Sequence, residues 1–304
     1  RNAAQVSLIS AVANGWLTLL ADEQLLELSR QTLATREESV RLTKLRLDSG
    51  AASELDYRQA ESLTQAARAT LAQQQRQRAL DENALALLLG QPLPEDIRAS
   101  LSRSDLRAAP SMQAIPAGLP SDLLAQRPDI RQAEQQLVAA NANIGAARAA
   151  FFPRIALTAQ AGTASGELSG LFKNGSWGFT LAPSLLLPLF DAGANQANLD
   201  SAQVGRKLAV AQYEKSIQTA FREVSDALAS QSTLTEQLDA QTKQAEAEAI
   251  RLNLADLRYK NGVASYLDLL DAQRSLFSTQ QGVVQVRLGQ LQNQVTLFKA
   301  LGGG

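Results

Sequence analysis

A helical hairpin pattern occurs twice in this chain of 304 residues, at residues 45–60 and again at residues 257–272. Half of the sixteen paired positions are identical, and the glycine, serine and aspartate of the turn align without a gap, for example Ser53 with Ser265. An internal repeat indicates a duplicated architecture built from copies of one supersecondary unit. This constrains the fold strongly because both copies must form the same hairpin.

The offset between the two copies, 265 minus 53, is 212 residues. A strand-like hairpin at about residues 154–188 precedes the second copy, and the equivalent position before the first copy would fall upstream of Arg1. We therefore expect this chain to be a piece of a longer protein. Its first β-hairpin and any targeting signal are expected before Arg1.

Long stretches of the chain have apolar or small residues at alternating steps of three and four without an internal proline, which predicts long helices. These helices are expected over residues 2–47, 54–89, 194–259 and 266–301. The third contains a heptad seam, as in a coiled coil: Val210, Ile217, Val224, Gln231, Leu238, Ala245, Leu252 and Tyr259. Gly50 and Gly262 suit helix C-termini and Ser53 and Ser265 suit N-caps, so each helix pair should be an antiparallel hairpin with a short turn.

The composition excludes several classes of protein. With no cysteine and no histidine, the chain has no thiol nucleophile, disulfide or imidazole, so we expect no enzyme activity and no bound cofactor or metal. A net charge of −1, with 29 basic and 30 acidic residues, gives no basic footprint for nucleic acid. There is no run of about 18 apolar residues, so no transmembrane helix is expected.

The middle of the chain differs from the rest in its high proline content. Prolines divide residues 91–126 into short segments, which predicts irregular structure with room for one short strand or helix. A helix is expected to resume at Pro128, where proline suits the first helical position and Asp129 the first turn, and to run to Ala150.

Two segments of about ten residues then show alternating polarity around a turn rich in glycine and serine, as in a transmembrane β-hairpin. The alternating apolar positions include Ile155, Leu157, Trp177, Phe179 and Leu181. On pattern alone, an amphipathic hairpin covering a soluble core is an equal alternative. An isolated two-stranded ribbon is marginally stable, however, and backbone groups in lipid need partners. We therefore expect several subunits to close a barrel, with those five residues facing lipid.

Five motifs carry a family resemblance: residues 127–130, 151–155, 187–193, 269–274 and 299–303, which read RPDI, FFPRI, LPLFDAG, LLDAQR and KALGG. They resemble the TolC-like outer-membrane efflux channels, and most closely the OprM-type branch that serves RND pumps of Gram-negative bacteria. The likeness covers essentially the whole chain.

The resemblance implies a mainly α fold with a transmembrane β-hairpin, in a homotrimer that combines an α-helical barrel with a twelve-stranded β-barrel. It implies a location in the bacterial outer membrane, extending into the periplasm, and a passive exit duct for drugs or other small toxic compounds. The implied partners are a periplasmic adaptor and an inner-membrane RND pump. The main alternative is a soluble periplasmic coiled-coil adaptor or scaffold.

The expected organisation follows the repeat. Residues 1–90 form the first periplasmic helical hairpin, 91–126 the irregular equatorial segment and 127–152 a helix of the tube. Residues 153–190 form the outer-membrane β-hairpin, and 191–304 the second helical hairpin with the C-terminal tail.

The resemblance also implies a gate where the hairpin turns converge. Asp268 and Asp271 match paired aspartates that line the aperture, and Leu267 matches an apolar constriction. Tyr259 and Asp56 match residues that tie the two hairpins together in the closed state.

Each gate assignment has a simpler alternative. Asp56 and Asp268 both stand at the third helical position after a serine, where a capping box explains them. Tyr259 lies on the heptad seam, so core packing explains it equally well. Asp271 lies beyond the first turn, and its alternatives are a solvated charge or a pair with Arg274.

Overall fold

The computed structural model describes residues 2–101, 106 and 127–302. Its regular elements, in chain order, are α1 (Asn2–Asp48), α2 (Glu54–Leu89), α3 (Glu95–Leu101), α4 (Pro128–Ala149), β1 (Arg154–Thr163), β2 (Trp177–Leu186), α5 (Ala194–Lys260) and α6 (Tyr266–Ala300). They fall into two units, residues 1–128 with 220–304, and residues 129–219.

The boundaries of the long helices agree with the predicted ones to within a residue, because the turn chemistry fixes them. Gly50 and Gly262 have φ of 76° and 73°, the left-handed conformation that closes a helix without steric cost for glycine. Gly50 N–H donates to Leu47 O at 2.9 Å and Gly262 N–H to Tyr259 O at 3.0 Å. The two copies of the repeat therefore end their first helix in the same way.

The next helix of each copy begins at a capping box. The Ser53 hydroxyl accepts from the Asp56 amide at 3.1 Å, and the Ser265 hydroxyl accepts from the Asp268 amide at 3.3 Å. Each aspartate in turn accepts from the amide of its serine, at 3.2 and 3.1 Å. The predicted capping role of both aspartates is confirmed.

The core of the first unit joins α1, α2, α3 and α6. Its buried leucines and one alanine are Leu19, Leu20, Ala21, Leu85, Leu93, Leu101, Leu106, Leu288 and Leu291. By length and composition alone, α1 is long and apolar enough to cross a membrane. That is weak evidence, since a core helix passes the same test, and Leu19 and Leu20 pack in this core.

The predicted heptad seam of α5 is confirmed, since each of its eight positions is half-buried.

One arginine joins distant parts of the first unit by hydrogen bonds. Arg127 donates from Nη1 to Ala300 O and from Nη2 to Glu223 Oε2, both at 2.7 Å. Two of the family motifs, at residues 127–130 and 299–303, thus meet at one arginine.

Within residues 91–126, only part is described. The short helix α3 lies there, as the sequence allowed, and residues 102–105 and 107–126 of the predicted irregular segment lie outside the described residues.

The second unit contains an antiparallel pair, β1 and β2, after α4. The return from β2 to α5 turns at Ala192 and Gly193, which both have positive φ. Asp191 stabilises this turn by accepting from the Gly193 amide at 3.0 Å and the Asn195 amide at 2.8 Å. The Asn195 side chain also donates to Ala150 O at 3.3 Å, which links the start of α5 to the end of α4. The positive φ at Gly193 and the hydrogen bonds that Asp191 accepts explain why the motif at 187–193 contains a glycine and an aspartate.

Candidate functional site

The ribbon of β1 and β2 separates two kinds of side chain on its two faces. The register pairs Leu157 with Pro183, Ala159 with Leu181, and Ala161 with Phe179. Side chains alternate along each strand, so all odd-numbered residues of β1 and β2 share one face. The five residues predicted to face lipid lie on this face: Ile155, Leu157, Trp177, Phe179 and Leu181.

These five side chains are between 53% and 75% exposed, so none of the described residues covers them. The opposite face is mainly small or polar, with Ala156, Thr158, Gln160, Gly162, Gly178, Thr180, Ala182 and Ser184. An apolar face against a small, polar face is the pattern of a barrel strand between lipid and a watery interior. Lipid contact of the five residues stays a prediction.

The two helical hairpins meet next to their turns in a small apolar cluster. Its buried members are Ala60, Tyr266, Leu269 and Leu270, and partly buried neighbours include Tyr259. The Tyr266 ring lies 5.3 Å from the Tyr259 ring at a tilt of 45°. Residues from α2, α5 and α6 therefore hold the turn region together by packing.

Tyr259 has a second partner that the sequence did not reveal. The Arg46 guanidinium, from the end of α1, lies 4.8 Å from the centre of the Tyr259 ring in a cation–π contact. The packing alternative for Tyr259 is thus confirmed. Asp56 is engaged with Ser53, and a hydrogen bond between Tyr259 and Asp56 stays a prediction.

The carboxylate of Asp271 pairs with an arginine other than Arg274, the partner that the sequence suggested. It accepts from Nη2 of Arg251 on α5, and both side chains are about half exposed. Arg251 also donates to Glu248 at 3.1 Å. The hydrogen bond that Arg251 donates to Asp271, followed by the one that it donates to Glu248, raises the pKa of Arg251. The alternative pair of Asp271 with Arg274 is therefore wrong.

The remaining gate candidates lie close by. Leu267 is 55% exposed, next to the capping residue Asp268. Arg274 makes no ion pair within 4.0 Å in the part of the chain that the structure describes. Among those same residues, no cluster of three or more acidic side chains could hold a metal ion.

The sequence missed Arg251 and Arg46 because their roles depend on how separate helices are aligned. Arg251 directly precedes a seam residue, Leu252, and arginines at such positions are ordinary on a helix surface. No local signal distinguishes an arginine that reaches a neighbouring helix from one that is solvated.

A β-ribbon with one largely apolar face, which the described residues leave uncovered, has the pattern of a strand pair in a membrane barrel. Comparison with known proteins agrees. The profile described as "Outer membrane efflux protein" matches residues 1–91 and 119–303. This chain belongs to the outer membrane efflux protein family.

Similar proteins support this assignment. The chain is 50% identical over 300 residues to the solvent efflux pump outer membrane protein SrpC of Pseudomonas putida, covering 99% of this chain and 63% of SrpC. A crystal structure of a membrane protein from Pseudomonas aeruginosa has a TM-score of 0.85 at 44% identity, over 100% of this chain and 67% of that one. The open state of the Neisseria gonorrhoeae MtrE channel has a TM-score of 0.82 at 42% identity, over 100% and 68%.

The predicted resemblance to TolC-like channels, the mainly α fold class and the outer-membrane location are thus confirmed. The soluble scaffold is not favoured. The chain spans about 63% of the length of the curated relatives that it matches first.

Proposed function

We propose that the protein is the outer-membrane exit duct of a tripartite efflux system and conducts small toxic compounds passively. The observation that carries this proposal is the amphipathic ribbon of β1 and β2, whose apolar face is left uncovered by the residues that the structure describes. Such a ribbon needs other copies to close a barrel. A homotrimer that works with a periplasmic adaptor and an inner-membrane RND pump meets that need. The relative SrpC is a solvent efflux pump outer membrane protein, which supports small organic compounds as cargo.

We further propose that the turn region of α5 and α6 forms the gate, with Asp271 as its charged residue. Three copies of one exposed carboxylate around an axis would attract cations and disfavour anions. Asp268 would add a second ring of carboxylates, although its capping bonds restrain it. Tyr259 and Asp56 would tie the two hairpins together in the closed state, Leu267 would form an apolar constriction, and Arg274 would lie beside the aperture.

The ion pair with Arg251 sharpens the test of this gate. Arg251 neutralises part of the Asp271 charge, so removing either partner should shift the field of the ring in opposite directions. We expect Asp271→Ala to lower cation selectivity and Arg251→Ala to raise it. The measurement is single-channel recording of the full-length protein in planar bilayers, with reversal potentials in a salt gradient.

Asp239→Ala is a matched control, because Asp239 is an exposed acid on α5 that pairs with Lys243 at 2.7 Å. It should leave conductance and selectivity unchanged. Equal selectivity in the wild type, Asp271→Ala and Arg251→Ala would make Asp271 an ordinary surface charge. An absence of any channel in the wild type would contradict the duct itself.

A further inference from the structure

A cavity of about 160 Å³ lies between α1, α5 and α6 in the first unit. Its lining residues are both apolar and polar: Leu28, Gln31, Thr32, Thr35, Arg36, Leu252, Gln273, Leu276, Phe277 and Gln280. The gate residues discussed above do not line it. The cavity therefore requires its own explanation.

The charged residue of this cavity, Arg36, is buried without a counter-ion. It is only 7% exposed, and it pairs with no carboxylate within 4.0 Å in the described ranges. Its Nη1 donates to Leu63 O at 3.0 Å, whereas its Nε–H has no hydrogen-bond partner among the described residues. A buried cation with an unused donor is costly unless an opposite charge or another hydrogen-bond acceptor compensates it.

The surroundings of Arg36 add positive charge. Burial, and then the positive charge of Arg274, lower the pKa of Arg36, while Tyr266 opposes this effect. A guanidinium nevertheless stays charged in proteins. Two arginines in one neighbourhood without a paired carboxylate create a local field that favours an anion.

Gln273 supplies a second unused polar group in the same cavity. Its buried Oε1 has no hydrogen-bond partner within the described residues. A side-chain amide can present either its oxygen or its NH2 group, depending on the partner it meets. Gln273 can therefore donate to an anion that Arg36 attracts.

Part of the wall is apolar, with Leu252, Leu276 and Phe277 among the lining residues. The volume decides the size of an occupant. A cavity of roughly 150 Å³ accommodates a benzene ring in another protein. A single ring or a short branched chain thus fills the cavity, and a larger molecule would extend out of it.

We propose that this cavity binds a small organic carboxylate of about the size of benzoate. The carboxylate accepts from the Arg36 guanidinium and from the amide of Gln273 once these side chains turn toward it, and the apolar part lies against Leu252 and Phe277. This inference goes beyond conduction, since a ligand bound here would link α1 to α5 and α6 whether or not the protein forms a duct.

The test is calorimetric titration of the full-length protein in detergent with benzoate and with benzamide, its neutral counterpart. We expect saturable binding of benzoate, and binding of benzamide weaker by about ten-fold or more, because the charge-assisted hydrogen bonds are lost. Arg36→Gln should weaken benzoate binding by a similar factor. The matched control is Arg68→Gln, because Arg68 is an exposed arginine that pairs with Glu37 at 2.7 Å.

A second variant keeps the test decisive if Arg36→Gln fails to assemble. Leu276→Trp should fill the cavity and abolish benzoate binding while Arg36 remains. Equal affinity for benzoate and benzamide, unchanged binding by Leu276→Trp, or no saturable binding would each overturn the proposal. The last result would mean that water, or an acidic side chain of another copy, satisfies Arg36.

Discussion

At the scale of single residues, the carboxyl group of Asp22 in α1 is the group that couples stability to pH. It is only 6% exposed, and one of its oxygens has no hydrogen-bond partner in the described part of the chain. Burial, followed by the hydrogen bond and the charge of Asp81, raises the pKa of Asp22 to about 7. The charge of Glu23 raises it further, and Arg78 opposes the shift.

The sign of the pH effect follows from this raised pKa. The ordinary value is 3.8, so between about pH 4 and pH 7 the folded state keeps a proton that the unfolded state releases. The stabilising contribution of Asp22 is complete below pH 3.8, the pKa of the unfolded chain, and is lost as the pH rises through about 7, the pKa of the folded protein.

We therefore expect Asp22→Asn to flatten the pH dependence of stability and to stabilise the protein at pH 8 by about 1–3 kcal/mol. Thermal unfolding at pH 5 and pH 8, followed by circular dichroism, measures this. Asp239→Asn serves as a control because Asp239 is exposed. An unaltered pH dependence in Asp22→Asn would refute the assignment of the titration to Asp22.

At the scale of elements, the register of the β-ribbon assigns each strand residue to one of two faces. The same substitution can therefore be compared on the two faces. Leu157 and Phe179 lie on the apolar face, and Thr158 and Thr180 lie on the opposite face of the same strands. We expect Leu157→Arg and Phe179→Arg each to destabilise the barrel by about 2–4 kcal/mol if they lie near mid-membrane.

Thr158→Arg and Thr180→Arg should be tolerated, because an arginine on that face meets water. The measurement is the yield of unboiled oligomer in the outer-membrane fraction. Similar yields for all four variants would remove the basis for a lipid-facing side.

At the scale of the whole molecule, the exposed turns are where we expect an adaptor to bind. Val263 is 67% exposed beside the second turn, and Ala51 occupies the matching place in the first. A photo-cross-linker at either position should capture the adaptor in exporting cells. A cross-linker at Val204, which is 62% exposed near the other end of α5, should not. Equal capture at Val204 and Val263, or none at Val263 and Ala51, would count against this docking site.

The sequence by itself determined the elements and their ends. Helix periodicity, left-handed glycines, serine caps and strand alternation are local properties, since each depends on residues that are close together in the sequence. For this reason the bounds of α2, the capping role of Asp56 and Asp268, and the shared face of Leu157 and Phe179 could all be predicted before the structure.

Only the tertiary structure decided which side chains meet across helices. How one helix is rotated and shifted against another determines three features. These are the pair of Arg251 with Asp271, the contact of Arg46 with Tyr259, and the burial of Arg36 without a counter-ion among the described residues. A periodic sequence leaves that alignment undetermined, because several rotations place some apolar residues in the seam. Packing of the whole helical unit selects one of them, and with it the charges that lie together.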